Sequence, residues 1–106
     1  MKEYEQYLKY SGTTTLSSMS KADLINLVER GESSFLEFKQ KVASPEKLAR
    51  EIAAFANTEG GIILVGVGDR GELIGLETYL EEEFWLKKAA EEECIPPVDI
   101  TLELFQ

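Results

Sequence analysis

Histidine is absent from this 106-residue chain and cysteine occurs once, at Cys94. No internal disulfide can form, and a structural zinc site built from this chain alone is not expected, because such sites draw on several Cys and His ligands. Cys94 also lacks a histidine base for nucleophilic work and reads as a small buried residue. Long apolar runs are missing: none approaches the length of a bilayer span, and "MKEYEQYLKY" has no apolar signal-peptide core. The expected compartment is the cytoplasm, with no membrane partner. Basic residues are scarce, 11 Lys and Arg against 20 Asp and Glu, for a net charge of −9. The scarcity is uneven. Residues 1–56 carry eight of each sign, whereas residues 57–106 carry three basic against twelve acidic. Duplex-DNA binders concentrate Lys and Arg, so this composition does not by itself suggest one.

What is present suits one small α/β (α+β) domain, a mixed β-sheet backed by helices. The first ten residues read as a turn or two of helix, and "SGTTTLSSMS" reads as a linker, giving an arm over 1–20 and a domain over 21–106. Ser20 with Asp23 marks a capped helix start, Leu24, Leu27 and Val28 its apolar stripe, and Gly31 its stop. "SSFLEFK" (33–39) reads as a strand. Ser44 and Pro45 open a helix over 44–57 with Leu48, Ile52, Phe55 and Ala56 on one face. "IILVGV" (62–67) has the uniform apolarity of a central strand and "ELIGL" (72–76) reads as a second strand. Thr78 and Glu81 match a capping box for a helix over 78–94, in which Phe84 and Trp85 read as core or flank and Glu91–Glu93 as a solvated end. "VDITLELF" (98–105) alternates as a last strand.

Gly66, Gly68 and Gly71 have the G-x-G-x-x-G spacing of a dinucleotide-binding turn. Such a turn must open a helix whose N-terminus receives the pyrophosphate. Here Glu72, Leu73, Ile74, Gly75 and Leu76 follow, so the segment reads as a hairpin, and Gly66 within its strand suggests close approach by a packed helix or a ligand. With no G-x-x-x-x-G-K-[ST] either, neither NAD nor ATP is expected.

Glu37 and Lys39 stand two apart on a strand and share a face, an E-x-K pattern able to hold a divalent ion and steady a phosphate; the same pattern describes the charged face of an edge strand. Glu32 lies at the strand's mouth and Asp69 in the hairpin turn. Lys47 and Arg50 lie one turn apart on the helix over 44–57 and, with Lys41, make the one plausible basic patch.

Two runs, "ESSFLEFKQ" and "LAREIAAFANTEGGIILVGVGDRGELIGL", resemble the Schlafen AlbA-like domain of many bacterial proteins taken for transcriptional regulators, over about residues 31–98. The resemblance implies a DNA-binding module in a mixed sheet backed by helices; the divergent-ATPase description once attached to the family is not carried over. In the Schlafen nucleases a three-carboxylate site cleaves structured RNA, and the corresponding positions here are Glu32, Glu37 and Asp69, which would take Mg²⁺ or Mn²⁺. Those nucleases use two linked copies of the domain, and the family continues with further strands, so this chain is expected to be the N-terminal piece of a longer protein. The leading expectation is a nucleic-acid-binding regulatory module using Lys39, Lys41, Lys47, Arg50 and Arg70 on DNA or RNA. The alternatives are a metal-dependent endoribonuclease using Glu32, Glu37 and Asp69, and a protein-interaction or dimerisation domain forming a homo-oligomer.

Overall fold

The computed structural model describes residues 5–10, 20–42 and 44–105, with backbone alone for 5–10 and 103–105. Strands β1 (Glu5–Tyr10), β2 (Leu36–Lys39), β3 (Gly61–Val65) and β4 (Thr101–Phe105) form one sheet in the order β2-β3-β1-β4. Strands β2 and β3 are parallel, while β1 runs antiparallel to both β3 and β4, so the sheet is mixed as expected. The first residues correct the sequence reading: 5–10 form a strand and not a helix. Leu8 pairs with Ile63 on one side and Leu102 on the other, partners remote in sequence that no local pattern announces. Of the expected linker, 11–19 lie outside the described residues.

Helices cover both faces of the sheet. Helix α1 (Lys21–Arg30) starts at a reciprocal capping box, in which Asp23 N–H donates to Ser20 Oγ and Ser20 N–H donates to Asp23 Oδ2, both at 3.1 Å. Helix α2 (Pro45–Ala56) is capped by Ser44, whose Oγ accepts from Lys47 N–H at 3.3 Å. Register decides which residues meet which helix. Ile63 and Val65 face α2 and helix α3 (Leu80–Lys88), joining Leu48, Ile52, Phe55 and Leu86 in the larger core. Leu36, Phe38 and Leu64 face the other way and meet Leu24 of α1.

Thr78 and Glu81 do not form their capping box. Tyr79 is the N-cap residue and makes no side-chain cap, while Leu80 N–H donates to Thr78 Oγ1 at 3.4 Å. Tyr79 packs against the larger core, which delays the helix beyond the position that spacing predicts. The helix then widens into a π-helical segment (Ala89–Glu93), with Ala89 and Ala90 fully buried.

After β3 the chain reverses through Gly68–Gly71, where Gly68 N–H donates to Glu72 C=O and Gly71 N–H to Gly68 C=O, both at 2.9 Å. No helix opens at the glycines, and the next one, α3, begins only at Leu80. The returning strand shrinks to one bridge, Val67 to Leu73. Gly66 has φ of 93°, and a Cβ there would lie 3.2 Å from the Gly75 backbone. The close approach expected at Gly66 is thus made by the returning chain, and neither helix nor ligand is needed to explain it.

Candidate functional site

The E-x-K pair lies where strand parity puts it. Glu37 and Lys39 are in register with Ile63 and Val65, so both point toward α2 from the outer strand of the sheet. There α2 supplies Glu51. Lys39 Nζ stands 2.9 Å from Glu51 Oε1, with side-chain exposures of 14% and 20%. Oε1 is buried and accepts no aligned hydrogen bond, so the contact acts through charge. Glu37 lies against the same carboxyl. Burial first, then the charge of Glu51 and a hydrogen bond with it, raise the Glu37 pKa above its ordinary 4.5; Lys39 lowers it and Glu32 raises it further.

A carboxyl whose pKa is raised by folding binds its proton more tightly in the native state than in the unfolded one. Its stabilising contribution is complete below the unfolded value near 4.5 and is lost as pH rises through the native value. Glu37→Gln is accordingly expected to flatten the stability profile above that point and to leave the protein more stable at neutral pH. Urea midpoints measured from acid to neutral pH provide the check. A glutamine variant less stable at neutrality would show that the ionised carboxylate supports the fold.

Glu32 lies outside the strand, before the bridge between Ser33 and Leu36. Its Oε1 accepts the Phe38 N–H at 2.8 Å, on an outer strand. One carboxylate oxygen is thus committed to a backbone donor that lacks a strand partner, which protects the edge. Asp69 is exposed in the turn after β3. Among the described residues no three His, Cys, Asp or Glu side chains are gathered so as to hold a metal ion. Glu32, Glu37 and Asp69 are thus not gathered into such a group in this structure. Glu32 and Glu37 are close enough to interact, but the carboxyl against Glu37 is that of Glu51, itself tied to Lys39. Glu51 was not legible in sequence, because it meets Lys39 and Glu37 only once α2 folds back onto the strand before it.

The basic residues divide. Lys39, Lys41 and Lys47 line one depression of about 140 Å³ with Ser44 and Leu48, at the start of α2. Arg50 lines a different groove of about 240 Å³ with Glu46, Glu93 and Cys94, so Lys47 and Arg50 do not share one patch despite lying a turn apart. The Cys94 thiol in that groove's wall donates to Ala49 C=O at 3.5 Å, and burial, then Glu93, push its pKa up. Arg70 is exposed in the glycine turn. That turn rises beside the end of β2, since Gly66 and Val67 N–H both donate to Lys39 C=O. Lys41, Lys47 and the turn bearing Arg70 therefore sit at the carboxyl end of the parallel strand pair, where α/β sheets commonly receive ligands.

No helix among the described residues is long and apolar enough to cross a membrane. The family model described as Schlafen, AlbA_2 matches residues 32–106, and that family suggests a nucleic-acid-related function. No curated protein and no solved structure matches the chain.

Proposed function

Because this chain belongs to the Schlafen AlbA_2 family, we propose that it is a DNA-binding module of a transcriptional regulator, with Lys41 and Lys47 as its phosphate contacts. The observation that carries this reading is the convergence of three lysines on one depression in a chain of net charge −9. Lys41 and Lys47 lie on either side of Ser44 at the start of α2, where the helix dipole adds partial positive charge. Lys39 lies deeper and is held by Glu51, so it positions and does not reach out. Arg70 is available from the turn at the same end of the sheet.

Two to three phosphate contacts give weak, salt-sensitive binding. Each neutralised phosphate contributes roughly −0.9 to the slope of log affinity against log salt, so a slope of about −2 to −3 is expected. Fluorescence anisotropy with a labelled duplex at low and moderate salt measures this. Combining Lys41→Glu with Lys47→Glu should weaken binding by about tenfold or more, each reversal turning an attraction into a repulsion. Lys87→Glu on α3, with the same charge change per residue, should do far less. Equal losses from both surfaces, or no binding at low salt, would refute the assignment.

A further inference from the structure

Helix α3 carries apolar residues on two opposite sides. Leu86 is fully buried in the larger core, and Trp85 packs against it. Leu80 and Phe84 stand one turn apart on the opposite side and are 63% and 59% exposed. Single apolar residues on a surface are ordinary, but a surface helix is expected to be polar along its outer stripe. Among the described residues nothing covers this pair. Phe84 is also held in place. Its ring meets that of Trp85 edge-on, with 5.1 Å between centroids and 73° between planes. A side chain already ordered in this way loses little further freedom when a partner covers it.

The charges along α3 select the occupant. Glu81, Glu82 and Glu83 fill its first turn, and Lys87 and Lys88 its last. That order suits the helix dipole, and it also makes the helix complementary to itself. A second copy laid antiparallel sets acid against base at both ends, whereas a parallel copy sets like against like. We propose that α3 is a contact between two copies of this chain, packed antiparallel about a two-fold axis beside Phe84. The axis brings the two phenyl rings together, lays each Leu80 on the methylene stem of the partner's Lys87, and sets each Glu81 beside the partner's Lys88. Within one chain Lys87 pairs with Glu83 at 3.6 Å and Lys88 with Glu92 at 3.1 Å. Such exposed pairs one turn apart contribute little, so exchanging them for pairs across the axis costs little. Two helices of nine residues cover less than the roughly 1,200 Å² of a standard stable interface, so the dimer is weak and reversible.

Sedimentation equilibrium of the full chain over a wide range of concentration tests the proposal. The mean mass should rise from that of one chain toward that of two and stop there, since a two-fold contact closes. Phe84→Ala should weaken self-association about tenfold or more. Glu81→Lys and Lys88→Glu should each weaken it about fivefold, because either one sets like charges together at both ends of the contact. An equimolar mixture of these two variants should associate as well as the unaltered chain, every pair across the axis being opposite again. Should either charge variant lose helix by circular dichroism, Phe84→Ala carries the test, since its solvent-facing ring is not part of the core. One mass at all concentrations, association unchanged by Phe84→Ala, or a mixture of folded charge variants no better than its components would overturn the proposal.

Discussion

Exchanging Gly61 for valine is expected to destabilise the protein by about 3 kcal/mol, at the upper end of what overpacking a core costs. A Cβ placed on Gly61 would lie 2.5 Å from both Cγ and Cδ1 of Phe55, well inside contact distance. The ring cannot simply swing aside, because it belongs to the larger core beneath α2 with Ile52 and Ile63. Valine adds two further methyl groups to the same collision. Gly31→Ala offers the contrast: nothing lies within 4 Å of its added Cβ, and only the φ of 82° resists, a penalty of about 1 kcal/mol. Urea denaturation of both variants checks the difference. Combining Gly61→Ala with Phe55→Leu should cost less than the sum of the two, since the smaller side chain vacates the clashing space. Strict additivity would show that the glycine is required for another reason. The outcome bears on the run "ANTEGG", whose second glycine is here explained by a phenyl ring lying where a side chain would be.

Removing the amine of Lys39 is the second large effect. Lys39→Met leaves Glu51 and Glu37 side by side without their cation, and a loss of about 2 kcal/mol at neutral pH is expected, below the value for a fully buried pair because both partners retain some exposure. The loss should shrink in acid, where Glu37, its pKa raised by burial and by Glu51, takes up its proton and no longer repels its neighbour. Lys39→Met combined with Glu51→Leu should return close to the original stability, because the charges disappear together. Thermal and urea denaturation of the full double-mutant cycle gives the coupling directly. Independent, additive losses would contradict the pairing. The same variants separate structure from recognition: once folded, Lys39→Met should disturb DNA binding less than the reversals at Lys41 and Lys47.

Local chemistry made much of the fold legible. Ser20 with Asp23, Ser44 with Pro45, and Gly31 each act within one turn of chain, and the bounds of α1 and α2 follow from them. The E-x-K face was equally readable, since strand parity needs only two residues of context. Failures occurred where a distant segment decides. Strand β1 exists because β3 and β4 flank it, and the Thr78–Glu81 spacing is overridden by Tyr79 seated against the core. At the site, Glu37 and Lys39 were visible in sequence, but the carboxylate that neutralises Lys39 arrives from the middle of α2. Lys47 and Arg50 looked like neighbours by helical spacing, yet they line separate depressions, a division set by what packs beside α2.

The place of β1 also governs the order in which the chain can assemble. Of the four strands this one leaves the ribosome first, yet its two hydrogen-bonding neighbours follow only from Gly61 and Thr101 onward. The β2-α2-β3 unit is local and can collapse as soon as Val65 is clear of the exit tunnel, whereas the nascent β1 waits with both edges unpaired. Contacts of such long sequence separation place a domain toward the slow end of folding for its size. A waiting strand in the middle of the future sheet is also open to capture by the β3 of a neighbouring nascent chain. In polysomes, where many copies emerge side by side, exchange of this first strand between molecules is the misassembly this topology invites.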